Sequence, residues 1–308
     1  MLAPTPAPHT QLTQASTVRA SRLVARFMSL ILFHRSWRVT GEPDATTPQL
    51  LELRRAVEQA SAANSGRPVH IVTHSLGVAL VQRLLNGADM VGDSAWKRQY
   101  VRSLTYLAPA LKGATGALQG IIMGPQLSTW LPQFVNDWVV PATRTMPSML
   151  YMSPQPHDAD FWNEQLQGRP FIENEETGRT YGLEDSSALM EDLGAPVLRE
   201  AWEKVSAVSN VAPVSMDPML PTLCAFANDS QTTLRMKFKT AKFTKQTVVE
   251  AAPGDATVTA ASMRWCGQWT NATVKEYILN AGEGAHVKTA SDKAVVHDVV
   301  QWLLSFNS

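Results

Sequence analysis

The chain has 308 residues, with 27 basic and 27 acidic side chains and 18% charged residues overall. That length suffices for one α/β domain with a sizeable core, or a domain carrying a lid. The balanced charge gives no basis for nucleic-acid binding, and no run approaches the roughly 20 apolar residues of a membrane span. Nineteen prolines and nine tryptophans suggest long ordered loops and a surface that meets something apolar. Two cysteines, Cys224 and Cys266, permit either one bridge or two buried thiols.

Residues 1–16, proline-rich and then polar, cannot bury much and read as disordered. Ser21–Arg35 reads as a helix. Its apolar run Phe27–Phe33 lies too far from the start, and lacks a clear small-residue cleavage site, to be a signal peptide. Gly41–Pro48 is a loop. Leu50, Leu51, Leu53, Val57 and Ala60 then recur at helical spacing, with Pro48 near the start and Asn64-Ser65-Gly66 at the end. A strand over Pro68–Thr73 and a helix over Leu76–Asn86 follow. Trp96–Arg102 is a short amphipathic segment, and Ser103–Leu107 is a second apolar strand. The order α, β, α, β implies a parallel sheet with helices on its faces.

Residues 113–215 break this rhythm with four tryptophans and many prolines and methionines, which reads as an inserted cap or lid. A strand returns at Thr222–Ala227. Arg235, Lys237, Lys239, Lys242 and Lys245 then interleave with Met236, Phe238 and Phe243. Period-2 alternation predicts an exposed hairpin, either an edge guarded by lysines or a face for anionic lipid headgroups. Lys275–Leu279 reads as a strand and Asp292–Leu304 as the closing helix. The expected organisation is a divergent or disordered segment 1–40, an α/β core over 41–112 and 216–308, and a cap over 113–215.

The stretch Val69–Leu80 organises the chain. An apolar, β-branched run stops at Thr73, Ser75 stands at a sharp turn, and an amphipathic helix begins at Leu76. This is how a nucleophile elbow looks in sequence, with Thr73 in place of the first glycine of G-x-S-x-G and Gly77 kept. An ordinary turn with a capping serine would look similar. An activated serine needs a histidine base and a carboxylate that orients it. Of seven histidines, His286 stands in a glycine-rich loop directly after an apolar strand, where such a base belongs. His9 lies in the tail, His34 near the N-terminal helix, His157 in the cap and His297 on the last helix. His70 and His74 read as strand-packing and turn residues. Asp255, in Gly254-Asp255-Ala256-Thr257-Val258, is the candidate acid, with helix N-capping as its bland alternative and Asp229 as runner-up.

These stretches resemble the lecithin:cholesterol acyltransferase family, which includes lysosomal phospholipases and phospholipid:diacylglycerol acyltransferases. Pro68–Gly77 is similar to the family elbow. Trp96–Val101 and Leu104–Gly113 are similar to the helix and strand that follow it. Gly254–Val258 with Trp265-Cys266-Gly267-Gln268-Trp269 resembles the acid motif with its cysteine, and His286 falls at the family's base. The resemblance covers roughly 65–305 and is weakest in the cap. It implies an α/β-hydrolase fold in which Ser75 attacks an acyl ester. His286 would serve as base, Asp255 would orient it, and the Leu76 N–H would be one oxyanion donor. It also implies a Cys224–Cys266 disulfide, which requires an oxidising compartment. Secretion or a lumenal or lysosomal location follows by resemblance, although no signal peptide is visible. The sequons Asn228-Asp229-Ser230 and Asn271-Ala272-Thr273 agree with this. No cofactor and no metal are expected. The implied partners are a phospholipid and a membrane or lipoprotein surface. Oligomeric state is not fixed by the sequence.

Upstream the chain departs from the family. Only 74 residues precede Ser75, with no His-Gly or Pro-Gly-x-Gly stretch and no cysteine pair. Ser36-Trp37-Arg38 resembles the family's Asp-Trp-Arg turn, with serine at the Asp position. The family's upstream strands and second oxyanion donor are therefore expected to be missing, through an incomplete N-terminus. The leading expectation is a serine enzyme that moves a fatty acyl group from a phospholipid to a sterol, a glyceride or water. The competing one is an inactive or weakly active lipid-binding protein on the same scaffold. A soluble esterase with a small substrate is a third option.

Overall fold

The computed structural model of the chain describes residues 48–86, 93–124, 144, 147–194, 196–211, 213–243 and 246–306. The chain divides into two units, 1–35 and 36–308, and the described residues all belong to the second. The expected tail and the Ser21–Arg35 helix lie outside the described residues.

Helix α1 (Pro48–Ala63) ends where expected. Ser65 and Gly66 take positive φ of 59° and 76°, and the Gly66 N–H closes the end by donating to the Ser61 carbonyl at 2.9 Å. Strand β1 (Val69–His74) follows, with Val69, Ile71, Val72 and Thr73 buried. A β-branched run buried on both faces is the signature of a covered parallel sheet. Next come α2 (Leu76–Asn86), α3 (Ser94–Tyr100) and β2 (Val101–Leu107). The Asp93 carboxylate caps α3 by accepting the Trp96 N–H at 2.7 Å, an arrangement worth about 1 kcal/mol.

The segment after β2 carries α4 (Thr115–Met123), α5 (Pro147–Met152), α6 (Ala159–Leu166), β3 (Ile172–Asn174), β4 (Thr180–Tyr181), α7 (Ser186–Asp192) and α8 (Pro196–Val211). Strand β5 (Thr222–Ala227) then enters the main sheet. The hairpin β6 (Ser230–Phe238) and β7 (Gln246–Gly254) leaves it, and α9 (Ala260–Arg264) leads back to β8 (Ala272–Tyr277). The short α10 (Ala285–Lys288) and α11 (Lys293–Leu304) close the chain.

Two four-stranded sheets result, ordered β1-β2-β5-β8 and β4-β3-β6-β7. Every pairing in the first is parallel, in register Thr73–Tyr106–Cys224–Val274 across its width. One face buries Ile71, Tyr106 and Cys224 with the residues of the inserted segment. The other buries Val72, Leu107, Leu223 and Ala225 against Val295 and Val299, one turn apart on α11. Each such valine contributes about 1.5–3 kcal/mol on burial.

The hairpin differs from its sequence reading. Strand β6 is not an exposed edge: it lies between β3 and β7, with Leu234, Met236 and Phe238 buried. Arg235 is buried too, paired with Glu173 and donating from Nε to the Pro170 carbonyl at 2.9 Å. The alternation records one apolar face and a row of cations, of which Arg235 is spent inside the protein. Strand β8 also begins earlier and ends earlier than expected. Ile278, whose apolarity extended the sequence reading, is 73% exposed in the loop beyond it.

Candidate active site

The site sits at the carboxyl ends of the main-sheet strands. Strand β1 pairs with β2 up to His74–Leu107, and the Ser75 N–H then donates to the Leu107 carbonyl at 2.9 Å. The chain turns at Ser75, whose φ is 53°, and α2 starts at once. A non-glycine residue in this region costs about 1–3 kcal/mol, held here by the sheet on one side and the helix on the other. The turn lifts the half-buried Ser75 hydroxyl clear of the strand. Leu76 is the first residue of α2, so its N–H is among the amides without a helical acceptor, at the positive end of the helix dipole.

Asp255 follows the last residue of β7, so the second sheet delivers it. Gly254 is required there, because a Cβ at that position would lie 2.3 Å from both Thr232 Oγ1 and the Val258 carbonyl. Ala256 takes φ of 74°, and its N–H donates to Thr232 Oγ1 at 3.0 Å. That turn points the Thr257 and Val258 amides at Asp255 Oδ1, at 3.0 and 2.8 Å. Asp255 is fully buried and does not cap α9, whose N-cap is Thr259. Gly116 on α4 presses on the same loop, donating its N–H to the Thr257 carbonyl at 3.1 Å, where a Cβ would be 2.7 Å from that oxygen.

His286, on α10, joins the two. Its Nδ1 lies 2.7 Å from Asp255 Oδ2 and its Nε2 lies 2.8 Å from Ser75 Oγ. The carboxylate accepts only, so Nδ1 carries the proton, Nε2 accepts, and the serine O–H donates. The His286 N–H also donates to the Asp255 carbonyl at 3.0 Å. A serine, an imidazole and a buried carboxylate in this order can generate an alkoxide-like nucleophile. Asp229 is set apart: it is exposed, and its carboxylate accepts the Asn280 N–H at 2.7 Å.

Cys224, in β5, and Cys266, just after α9, are fully buried and disulfide-bonded. Closing a separation of 42 residues restricts the unfolded chain by roughly 4 kcal/mol in the entropic account. The closed loop contains β6, β7 and the Asp255 turn, so the bridge anchors the acid-bearing excursion to the main sheet. A second anchor lies behind the loop. The buried Lys112 ammonium contacts Asp158 Oδ1 at 2.6 Å and sits 3.9 Å from the Trp265 ring centroid. Ser262 Oγ accepts the Lys112 N–H at 3.0 Å and donates to the Gly113 carbonyl at 2.7 Å.

His74 was read from the sequence as a strand-packing or turn residue, yet it reaches His286. Its Nε2 lies 2.9 Å from the His286 carbonyl and the two rings are 5.0 Å apart. Thr232 and Gly116, which shape the acid turn, had no sequence signal, because each acts across a long chain separation. Burial holds the His74 imidazole below its ordinary pKa, reinforced by His286. Burial does the same for His70, with Arg102 adding to it, and for His157 against the opposing pull of Asp158. A base whose pKa is lower folded than unfolded leaves the unfolded chain with more protons in acid, so stability rises with pH across that window. The three histidines are therefore expected to lower the melting temperature as pH falls from 7.5 through the ordinary value of 6.5 to 5.5. Calorimetric melts that are flat over that range, or that rise toward acid, would contradict this.

A profile described as "LCAT: Lecithin:cholesterol acyltransferase" matches residues 34–185, a span that includes Ser75 and stops short of Asp255 and His286. The chain is similar to lecithin-cholesterol acyltransferase-like 1 of Arabidopsis thaliana, 22% identical over 293 residues, which is 89% of this chain and 59% of that protein. The protein of the same name from Oryza sativa subsp. japonica is 31% identical over 117 residues, covering 38% of this chain and 26% of that one. The chain thus spans less than two thirds of the length of these relatives. Among solved structures it is similar to the Tle4–Tli4 complex, with a TM-score of 0.51 at 12% identity, covering 85% of this chain and 64% of that one. That likeness concerns the fold, and with the parallel sheet wound around the elbow it identifies an α/β-hydrolase fold. Taken with the elbow and its surroundings, the profile match and the two plant relatives support membership of the lecithin:cholesterol acyltransferase family.

Proposed function

We propose that this chain is a serine-dependent acyl-ester enzyme that moves a fatty acyl group from a phospholipid to an alcohol acceptor or to water. The observation that carries the reading is the hydrogen-bonded chain Ser75–His286–Asp255, at 2.8 and 2.7 Å. Ser75 Oγ attacks the ester carbonyl while His286 Nε2 takes its proton. The Leu76 N–H faces the developing oxyanion. His286 then gives the proton to the departing lysolipid oxygen, leaving an acyl-serine. A sterol, a glyceride or water, deprotonated by the same Nε2, releases the acyl group and restores the serine. Asp255 holds the Nδ1–H tautomer and stabilises the imidazolium.

The lipid class rests on the family resemblance. The cap's tryptophans lend it no separate support: Trp162 and Trp202 are buried in the core, while Trp130 and Trp138 lie outside the described residues. The Cys224–Cys266 bridge supports passage through an oxidising lumen. Among the described residues no helix is long and apolar enough to cross a membrane. The bonded triad favours the enzyme over the inactive lipid-binding alternative. The test is to treat the protein with a fluorophosphonate probe and to measure fatty-acid release from phosphatidylcholine vesicles. The expected results are a probe adduct mapped to Ser75 by peptide mass spectrometry and time-dependent release. Folded protein that acquires no adduct would leave the inactive alternative standing.

A further inference from the structure

We propose that His74 is a positioning residue for the base, fastening the His286 backbone to the strand that carries the nucleophile. The inference rests on the reading of Ser75, His286 and Asp255 given above. His74 Nε2 lies 2.9 Å from the His286 carbonyl oxygen, and a carbonyl only accepts, so Nε2 carries the proton. Burial and the charge of the neighbouring His286 ring favour the neutral form, and outweigh the hydrogen bond to the His286 carbonyl and the charge of Asp255, which favour the protonated one. A neutral neighbour suits the reaction, because His286 becomes an imidazolium in the transition state and a charged ring 5.0 Å away would oppose it.

The chain flanking His286 has its own holds: Asp229 accepts the Asn280 N–H at 2.7 Å, Ser230 Oγ donates to the Gly282 carbonyl at 2.9 Å, and Ala285 is fully buried. The fastening matters because it acts on the His286 backbone itself. The loop before it carries Gly282 and Gly284, with nothing within 4 Å of an added Cβ at either, and Val287, which follows His286, is 69% exposed. Asp255 grips His286 by its ring and its N–H, both from the acid side. The carbonyl is gripped by His74. Consecutive residues His74 and Ser75 therefore contact the backbone and the Nε2 of the same histidine, and the serine–imidazole distance is set within one short stretch of β1 and its turn. Shifts of about 1 Å between reacting groups cost on the order of 100-fold in rate.

Three substitutions test this. His74→Leu removes the donor. His74→Gln places an amide N–H near the position of Nε2, and His74→Asn places one near Nδ1, too short to reach the carbonyl. Labelling of Ser75 by a fluorophosphonate and turnover of a soluble acyl ester are measured on each, with circular dichroism to verify folding. The expectation for His74→Leu is a labelling rate and kcat about 10- to 100-fold lower with KM unchanged. His74→Gln restores most of the loss and His74→Asn does not. Wild-type rates in His74→Leu would overturn the proposal, as would equal losses in the leucine and glutamine variants. Absence of Ser75 labelling in the unmodified protein is a different failure, which removes the underlying reading of the site and this proposal with it.

Discussion

Replacing Asp255 with asparagine is expected to lower kcat for acyl transfer by about 10⁴-fold while leaving the fold intact. The reason is a proton in the wrong place. Asp255 Oδ1 accepts the Thr257 and Val258 amides at 3.0 and 2.8 Å. In Asp255→Asn the amide oxygen keeps those two donors, because the alternative would set three N–H groups against one another. The new NH2 then faces His286 Nδ1, which must become the acceptor. The imidazole proton moves to Nε2, where it confronts Ser75 Oγ instead of accepting from it. The imidazolium also loses its buried counter-charge. Steady-state ester hydrolysis and a thermal melt check this together. Activity within tenfold of the unmodified protein would remove Asp255 from the proposed role.

The largest expected effect on stability comes from Lys112→Met. Lys112 and Asp158 are both buried and 2.6 Å apart. Methionine fills the space above Trp265 but leaves the carboxylate, among the described residues, with only His157 Nε2, at 3.3 Å. Stranding one member of a buried pair costs about 3–5 kcal/mol, a large share of the roughly 5–15 kcal/mol that holds a typical domain folded. Urea unfolding monitored by fluorescence measures it. The double variant Lys112→Met/Asp158→Leu should recover most of the loss, since it removes both charges. A loss under about 1 kcal/mol in the single variant would show that the pair is hydrated and not holding the cap segment to the Asp255 region.

The elements around Ser75 were legible in the sequence because their signals are local. A β-branched run, a polar turn and an amphipathic helix need only neighbours within a few residues to form, so β1, Ser75 and α2 lie where the pattern put them. The closing helix was legible for the same reason, with Asp292 capping it. The hairpin over 230–254 was misread because alternation reports that one face is apolar, and is silent on what lies beside the strand. A partner from the inserted segment, β3, converts an expected edge into an interior strand and buries Arg235. No local pattern can announce a strand paired across more than 50 residues.

The same division runs through the candidate site. The residue types and their order along the chain, Ser75 then Asp255 then His286, are properties of the sequence, and so is the choice of His286 as the histidine in a glycine-rich loop after a strand. The sequence put Asp255 ahead of Asp229, but the physical reason for that order is tertiary. Both follow strands, yet only Asp255 is turned inward, by Gly254, Ala256 and Thr232, to a point 2.7 Å from the imidazole. His74 shows the limit most clearly. Its chemistry was visible, but its partner is a backbone carbonyl 212 residues away, and backbone carbonyls carry no sequence signature. The sequence by itself determined the elbow, the parallel sheet and the reactive groups, because short-range periodicity and side-chain chemistry are written in it. Only the tertiary structure decided which carboxylate meets the imidazole and what holds that imidazole still, because those are distances between segments that the chain brings together only on folding.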